Sequence, residues 1–165
     1  MHLKETQKHI KKRLSIGLRR FVKGESIDLS NYQNNEILRY IILSRTDFRE
    51  YLQNQFIEGM SWDNYCIDWE IDHIVPTSMF NMLDKAELSM CWHFLNLMPM
   101  LSKDNEIKAN STYFAKIELE KRRKYLPTNP IIQSLYDKII SEDDIHSKYQ
   151  YDLDFLKFYS KINYI

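Results

Sequence analysis

The chain has 165 residues and a mass of 20.0 kDa, with 44% hydrophobic and 28% charged side chains. That is the size and balance of one ordinary domain, neither disordered nor membrane-spanning, since runs such as Tyr40–Leu43 are far too short to cross a bilayer. The net charge is zero, but residues 1–24 carry eight basic and one acidic side chain (+7), residues 25–110 six and fourteen (−8), residues 111–124 five and two (+3), and residues 125–165 four and six (−2). Cationic segments flanking an acidic middle suit a protein that holds a polyanion at its rims and a metal cation at its centre.

Three glycines and four prolines argue against a glycine-rich phosphate loop and against an all-β fold. Cys66 and Cys91 are too few for a four-thiolate zinc site or a disulfide framework and fit a reducing compartment. The basic N-terminus has no long apolar run behind it, so no secretory signal is expected and a cytoplasmic location is. Richness in Lys, Ile, Asn and Tyr suggests an AT-rich genome, that of a phage or virus acting in its host's cytoplasm; this is association, not physics.

In chain order, Ile10, Leu14, Leu18 and Phe21 recur at helical spacing and predict an amphipathic helix over 8–23, with Gly24 as its stop. Lys11, Lys12, Arg13, Arg19, Arg20 and Lys23 occupy its other faces. They are either a solvated surface or contacts to DNA phosphates. Residues 31–35 read as a polar loop. Residues 37–43 are apolar but too short to separate helix from strand. A helix is expected over 47–58, capped by Thr46, ended by Gly59, and with Phe48, Tyr51, Leu52 and Phe56 on its core stripe.

Beyond Cys66 the period changes to two. Ile67, Trp69 and Ile71 alternate with Asp68, Glu70 and Asp72, which predicts a strand ended by Pro76. Residues 84–93 are helical or irregular. Residues 96–101 form a short extended run whose Pro99 implies an edge strand. Ser102 can cap a following helix. Further helices are expected over 112–124, broken by Pro127 and Pro130, and over 131–140. The aromatic tail (Tyr149, Tyr151, Phe155, Phe158, Tyr159) completes the core or makes a two-fold dimer interface, so monomer and homodimer both stay open.

One constellation carries chemistry. Asp72-His73 lies on the first strand, Asn96 opens the second, and Asn105 and Lys108 share one face of the helix that follows. An imidazole can take a proton from water near neutral pH, and carboxylate and amide oxygens are hard ligands for a divalent cation. Lysine supplies an ammonium for phosphate. Adjacent strand residues point to opposite faces. Asp72 and His73 therefore serve one site only if the strand bends or ends between them, or if the site lies on its rim.

The stretches WEIDHIVPTSMF (69–80) and CWHFLNLMPMLSKDNEIKAN (91–110) resemble an HNH endonuclease of the ββα-metal type, and FREYLQNQFIEGMSWDNY (48–65) resembles the helix and linker that precede this motif. The likeness covers about residues 37–110 and does not reach 125–165. It implies an α+β fold with a ββα-metal core, expected over 37–124; the residue patterns add a basic helix and loop over 1–36 and a helical extension over 125–165, expected to pack on the core. It also implies hydrolysis of double-stranded DNA. His73 would be the general base, Asp72 and Asn105 the ligands of one Mg²⁺ or Mn²⁺, Asn96 the tie of the inter-strand loop, and Lys108 a group near the scissile phosphate. The basic helix with Arg122 and Arg123 would grip the backbone. Glu70 stands where many relatives carry His, and Met98 and Met100 replace the common Gln and Leu, which are packing changes. Cys91 and His93 match a Cys-x-His pattern read as packing and hydrogen bonding. A fold that grips nucleic acid without cutting is the alternative, and a partner-binding domain a third.

Overall fold

The computed structural model describes residues 6–25, 36–109 and 112–140. Among them are helices α1 (Gln7–Lys23), α2 (Glu36–Ile41), α3 (Arg45–Gln53), α4 (Lys85–Cys91), α5 (Ser102–Lys108), α6 (Tyr113–Tyr125) and α7 (Pro130–Ile140), with strands β1 (Trp69–His73) and β2 (Leu97–Leu101). The architecture is mixed helix with a small antiparallel two-stranded sheet. No helix of the described residues is long and apolar enough to cross a membrane. The expected loop over 31–35 and the aromatic tail lie outside the described residues.

α1 forms as its periodicity predicts. Thr6 accepts a hydrogen bond from the His9 N–H at the N-terminus, and Gly24, at φ 68°, closes the other end in the left-handed conformation glycine favours. Ile10, Leu14, Leu18, Phe21 and Val22 are buried, each stabilising the packed helix by about 1.5–3 kcal/mol. Arg45 Nε and Arg49 Nη1 both donate to the Val22 carbonyl, at 3.2 and 2.9 Å. Two guanidinium groups from α3 thus meet the negative end of the α1 dipole. One continuous hydrophobic core takes in side chains from α1, α2, α3, α4, α6 and α7 and from both strands, so the basic helix is part of the core-building set and not a free arm.

The ambiguous run at 37–41 is helical in α2. α3 starts two residues earlier than expected because Ser44, not Thr46, caps it, accepting from the Asp47 N–H at 3.0 Å. It ends at Gln53, with Asn54 as its C-cap, well before Gly59. β1 is shorter than the alternation suggested: Cys66 sits at φ 66°, which breaks the extended run and leaves Asp68 outside the strand. The Ser102 hydroxyl makes no cap, for α5 begins at Ser102 itself.

β1 and β2 pair with Trp69 opposite Leu101, Glu70 opposite Met100, Ile71 opposite Pro99, Asp72 opposite Met98 and His73 opposite Leu97. Pro99 lacks an N–H and sits on the open edge of a two-stranded ladder, as its chemistry requires. α5 follows β2 without a loop and packs on both strands, while α7 packs on α6 and α4.

Candidate active site

Asn96 fixes the excursion between the strands. It is fully buried, and its Oδ1 accepts from the Val75 N–H at 2.8 Å. Its Nδ2 donates to the carbonyls of Val75 (3.2 Å) and Cys91 (2.9 Å). The Ile74 N–H reaches the Asn96 carbonyl at 2.7 Å. Every hydrogen-bonding end of this amide is thus used to hold residues 74–75 against 91–96, directly after His73.

Beside that tie lies a cavity of about 410 Å³ lined by Asp72, His73, Asn105 and Lys108, by Glu70, Tyr65, Cys66 and Trp92, and by Lys11, Ser15 and Arg19 of α1. The alternation of strand side chains would separate Asp72 from His73. Both reach the cavity because His73 is the last residue of β1 and the cavity wraps around the strand's end. Its imidazole packs edge-on against Trp92 with ring centres 4.5 Å apart. Among the described residues, His73 Nε2 is buried with no hydrogen-bond partner. Burial pushes the imidazole down to about 3, and the ammonium groups of Lys108 and Lys11 add to the effect. The ring is therefore neutral at any cellular pH.

Lys108 lines the cavity, but its side chain is only 1% exposed and its ammonium lies 2.7 Å from Asp72 Oδ2. It also donates to the His73 carbonyl at 2.8 Å, with the Phe114 ring 5.8 Å away. These contacts engage Lys108 with the two residues that end β1, rather than with open solvent. Burial raises the Asp72 carboxyl above the ordinary carboxylate range, and the opposing pull of Lys108 is the weaker effect. Asn105 Nδ2 donates to Glu70 Oε1 at 2.6 Å.

Among the described residues no three His, Cys, Asp or Glu side chains form a metal cage. The carboxylate and amide oxygens that line the cavity are those of Asp72, Glu70 and Asn105. That set fits a hard cation such as Mg²⁺, which keeps several waters and takes one or two carboxylates, and does not fit a thiolate-ligated metal. Cys91 is buried, and burial pushes its thiol far up. His93 Nδ1 accepts the Leu95 N–H at 3.2 Å. Both match the packing and hydrogen-bonding reading of the Cys-x-His pair.

The expected DNA-contacting cations are separated. Lys11 and Arg19 face the cavity. Arg13 is held bidentate by Glu36 of α2, at 2.9 and 3.2 Å. Lys12, Arg20 and Lys23 are exposed elsewhere on α1, with Arg20 Nε 3.9 Å from Glu25. Arg122 is turned inward, its guanidinium bonded to Glu118 (2.9 Å), the Tyr51 hydroxyl (3.1 Å) and Gln55 (2.6 Å), so it ties α6 to α3. Arg123 is half exposed, 3.7 Å from Glu120. Sequence reasoning missed Ser15, Tyr65 and Trp92 as lining residues. The place of Glu70 was legible, two residues from Asp72 on the same strand face.

Residues 22–157 match the family described as the C-terminal domain of GmrSD restriction endonucleases, a match that runs past residue 110 into the C-terminal extension. Two uncharacterized proteins of Acanthamoeba polyphaga mimivirus are similar to this chain. One is 29% identical over 89 residues, covering 54% of this chain and 39% of the relative. The other is 30% identical over 73 residues, covering 44% and 32%. The matched part thus spans well under half the length of either relative. No solved structure matches the chain. Its sequence and the matched span place it plainly: the chain belongs to the HNH-containing family of GmrSD restriction-endonuclease C-terminal domains.

Proposed function

We propose that this chain is an HNH endonuclease or nickase that hydrolyses double-stranded DNA, with residues 37–124 as a ββα-metal core. The observation that carries the reading is that His73, Asp72 and Asn105 line one cavity together with the cations Lys11 and Arg19. Burial of Nε2 leaves Nδ1 as the ring nitrogen that meets water. In the neutral tautomer with hydrogen on Nε2, the Nδ1 lone pair accepts a proton from water as the water oxygen bonds to phosphorus. The bond to the 3′ oxygen breaks, giving a 5′-phosphate and, once the leaving oxygen is protonated, a 3′-hydroxyl. The depressed basicity of His73 is that of the DNA-free protein, and a phosphodiester anion beside the ring raises it toward the working range of a general base.

Asp72 and Asn105 would hold Mg²⁺ or Mn²⁺, which supplies charge neutralisation at the phosphate and leaving oxygens. Lys11 and Arg19 orient the backbone, and Lys108 holds Asp72 and the carbonyl of the base residue in place. Of the proposed C-terminal extension, α7 packs on α6 and α4, and the setting is the cytoplasm of a virus-infected host.

The ion pair of Lys108 with Asp72 favours a second reading, in which an ammonium has replaced the metal and the protein binds nucleic acid without cutting. Incubation with supercoiled plasmid in Mg²⁺ against chelator separates the two, and sequencing the cut ends reports specificity and strand count. Metal-dependent nicking supports the nuclease; salt-sensitive binding with no cleavage in any divalent ion supports the silent binder.

A further inference from the structure

Glu70 and Asp72 leave the same face of β1, and α5 crosses that face. Two rungs join them. Asn105 Nδ2 donates to Glu70 Oε1 at 2.6 Å, and the Lys108 ammonium lies 2.7 Å from Asp72 Oδ2. The spacing matches, because residues two apart on a strand and three apart on a helix each share a side.

The first rung has a chemical consequence. A primary amide has a donor end and an acceptor end of nearly equal size, whereas a carboxylate only accepts. Beside Glu70 the Asn105 amide must turn its NH₂ to the strand, which leaves Oδ1 as the atom offered on the other side. We propose that Glu70 is a positioning residue that locks the Asn105 amide with its oxygen presented to a hard divalent cation in the cavity Asn105 shares with Asp72. This deepens the reading of Asn105 as a metal ligand and rests on it. Without Glu70 the amide is free to flip, and an NH₂ turned toward a cation repels it.

A direct ligand, or a mere nearby charge, would behave differently from an orienting partner, and a double-mutant cycle separates them. Aspartate has two equivalent oxygens and needs no orienting. Mn²⁺ affinity is measured by the electron paramagnetic resonance of the free ion, on the full chain, for wild type, Glu70→Ala, Glu70→Gln, Asn105→Asp and the Glu70→Ala/Asn105→Asp pair. Glu70→Ala is expected to weaken Mn²⁺ binding by about 10-fold or more, the usual effect of removing a partner that orients a ligand. Glu70→Gln, whose side-chain oxygen still accepts from Nδ2, lies nearer wild type. In the Asn105→Asp background the Glu70→Ala change is expected to shift affinity by less than about 2-fold, or to strengthen it by removing a like charge. An equal loss in both backgrounds overturns the inference, because Glu70 would then act as a ligand or by its charge.

Metal-free protein gives an independent readout. The Asn105 side-chain NH₂ resonances of the wild type are expected to be well resolved and protected from exchange. Exchange as fast as that of an exposed amide overturns the lock, and this decides the matter alone if Glu70→Ala does not fold. Wild-type protein that binds no Mn²⁺, or binds it equally after Asp72→Ala, overturns the metal-site reading itself and this inference with it.

Discussion

Lys108→Met removes an ammonium and keeps most of the side-chain volume. The ammonium it removes is 1% exposed and faces an Asp72 side chain that is 17% exposed, so screening by water is small. Breaking one side of a buried ion pair costs about 3–5 kcal/mol, because the remaining charge is left uncompensated. The lost hydrogen bond to the His73 carbonyl adds about 1 kcal/mol. A total near 5 kcal/mol is a large part of a typical domain's stability of about 5–15 kcal/mol. At a urea dependence of about 2 kcal/mol per molar, the unfolding midpoint should fall by roughly 2.5 M. The measurement is equilibrium urea unfolding with EDTA present. The Asp72→Asn/Lys108→Met pair leaves neither partner's charge behind and should recover at least about 2 kcal/mol of the loss. A midpoint shift under about 0.5 M for Lys108→Met, or a double variant no more stable than the single one, would refute the idea that this pair is a mutually compensated buried contact.

Asn96→Ala should destabilise the protein by about 3 kcal/mol, because it orphans the Val75 N–H and two carbonyls in a fully buried place; urea unfolding checks this, and cleavage should fall with it as Val75 comes loose from the 91–96 segment. Arg122→Ala should cost about 2–3 kcal/mol by removing the tie between α6 and α3, whereas Arg123→Ala should stay within about 0.5 kcal/mol, both read from thermal unfolding. Lys11→Ala and Arg19→Ala should each weaken duplex binding. Each should also lower the slope of log affinity against log salt by about 0.9 for every phosphate that the variant leaves unneutralised, as measured by fluorescence anisotropy across a salt series.

Much of the fold was legible because local patterns dominate it. The Ile10–Leu14–Leu18–Phe21 stripe sets α1, the alternation around Ile71 sets β1, and Pro99 marks an edge. Boundaries failed where a single backbone angle or cap decides, as at Cys66 with its positive φ and at Ser44 in place of Thr46. That Asp72, Asn105 and Lys108 would line one cavity was largely legible too, since spacing puts Asn105 and Lys108 on one helical face. What no local pattern could give is partner choice. Whether a lysine or arginine faces phosphate or an internal carboxylate depends on tertiary neighbours far along the chain: Asp72 for Lys108, Glu36 for Arg13, Tyr51 and Gln55 for Arg122. That His73 shares a cavity with Asp72 likewise depends on where β1 stops, which is fixed by the Asn96 tie and not by the alternation of the strand.

In the proposed mechanism the imidazole of His73 is the group on which the chemistry turns, and its removal is the most direct trial. Plasmid cleavage by His73→Ala in Mg²⁺ should fall by at least about 10²-fold from wild type, with duplex affinity unchanged and partial recovery when free imidazole fills the vacated space. Cleavage by His73→Ala at the wild-type rate would contradict the assignment of that ring as the base.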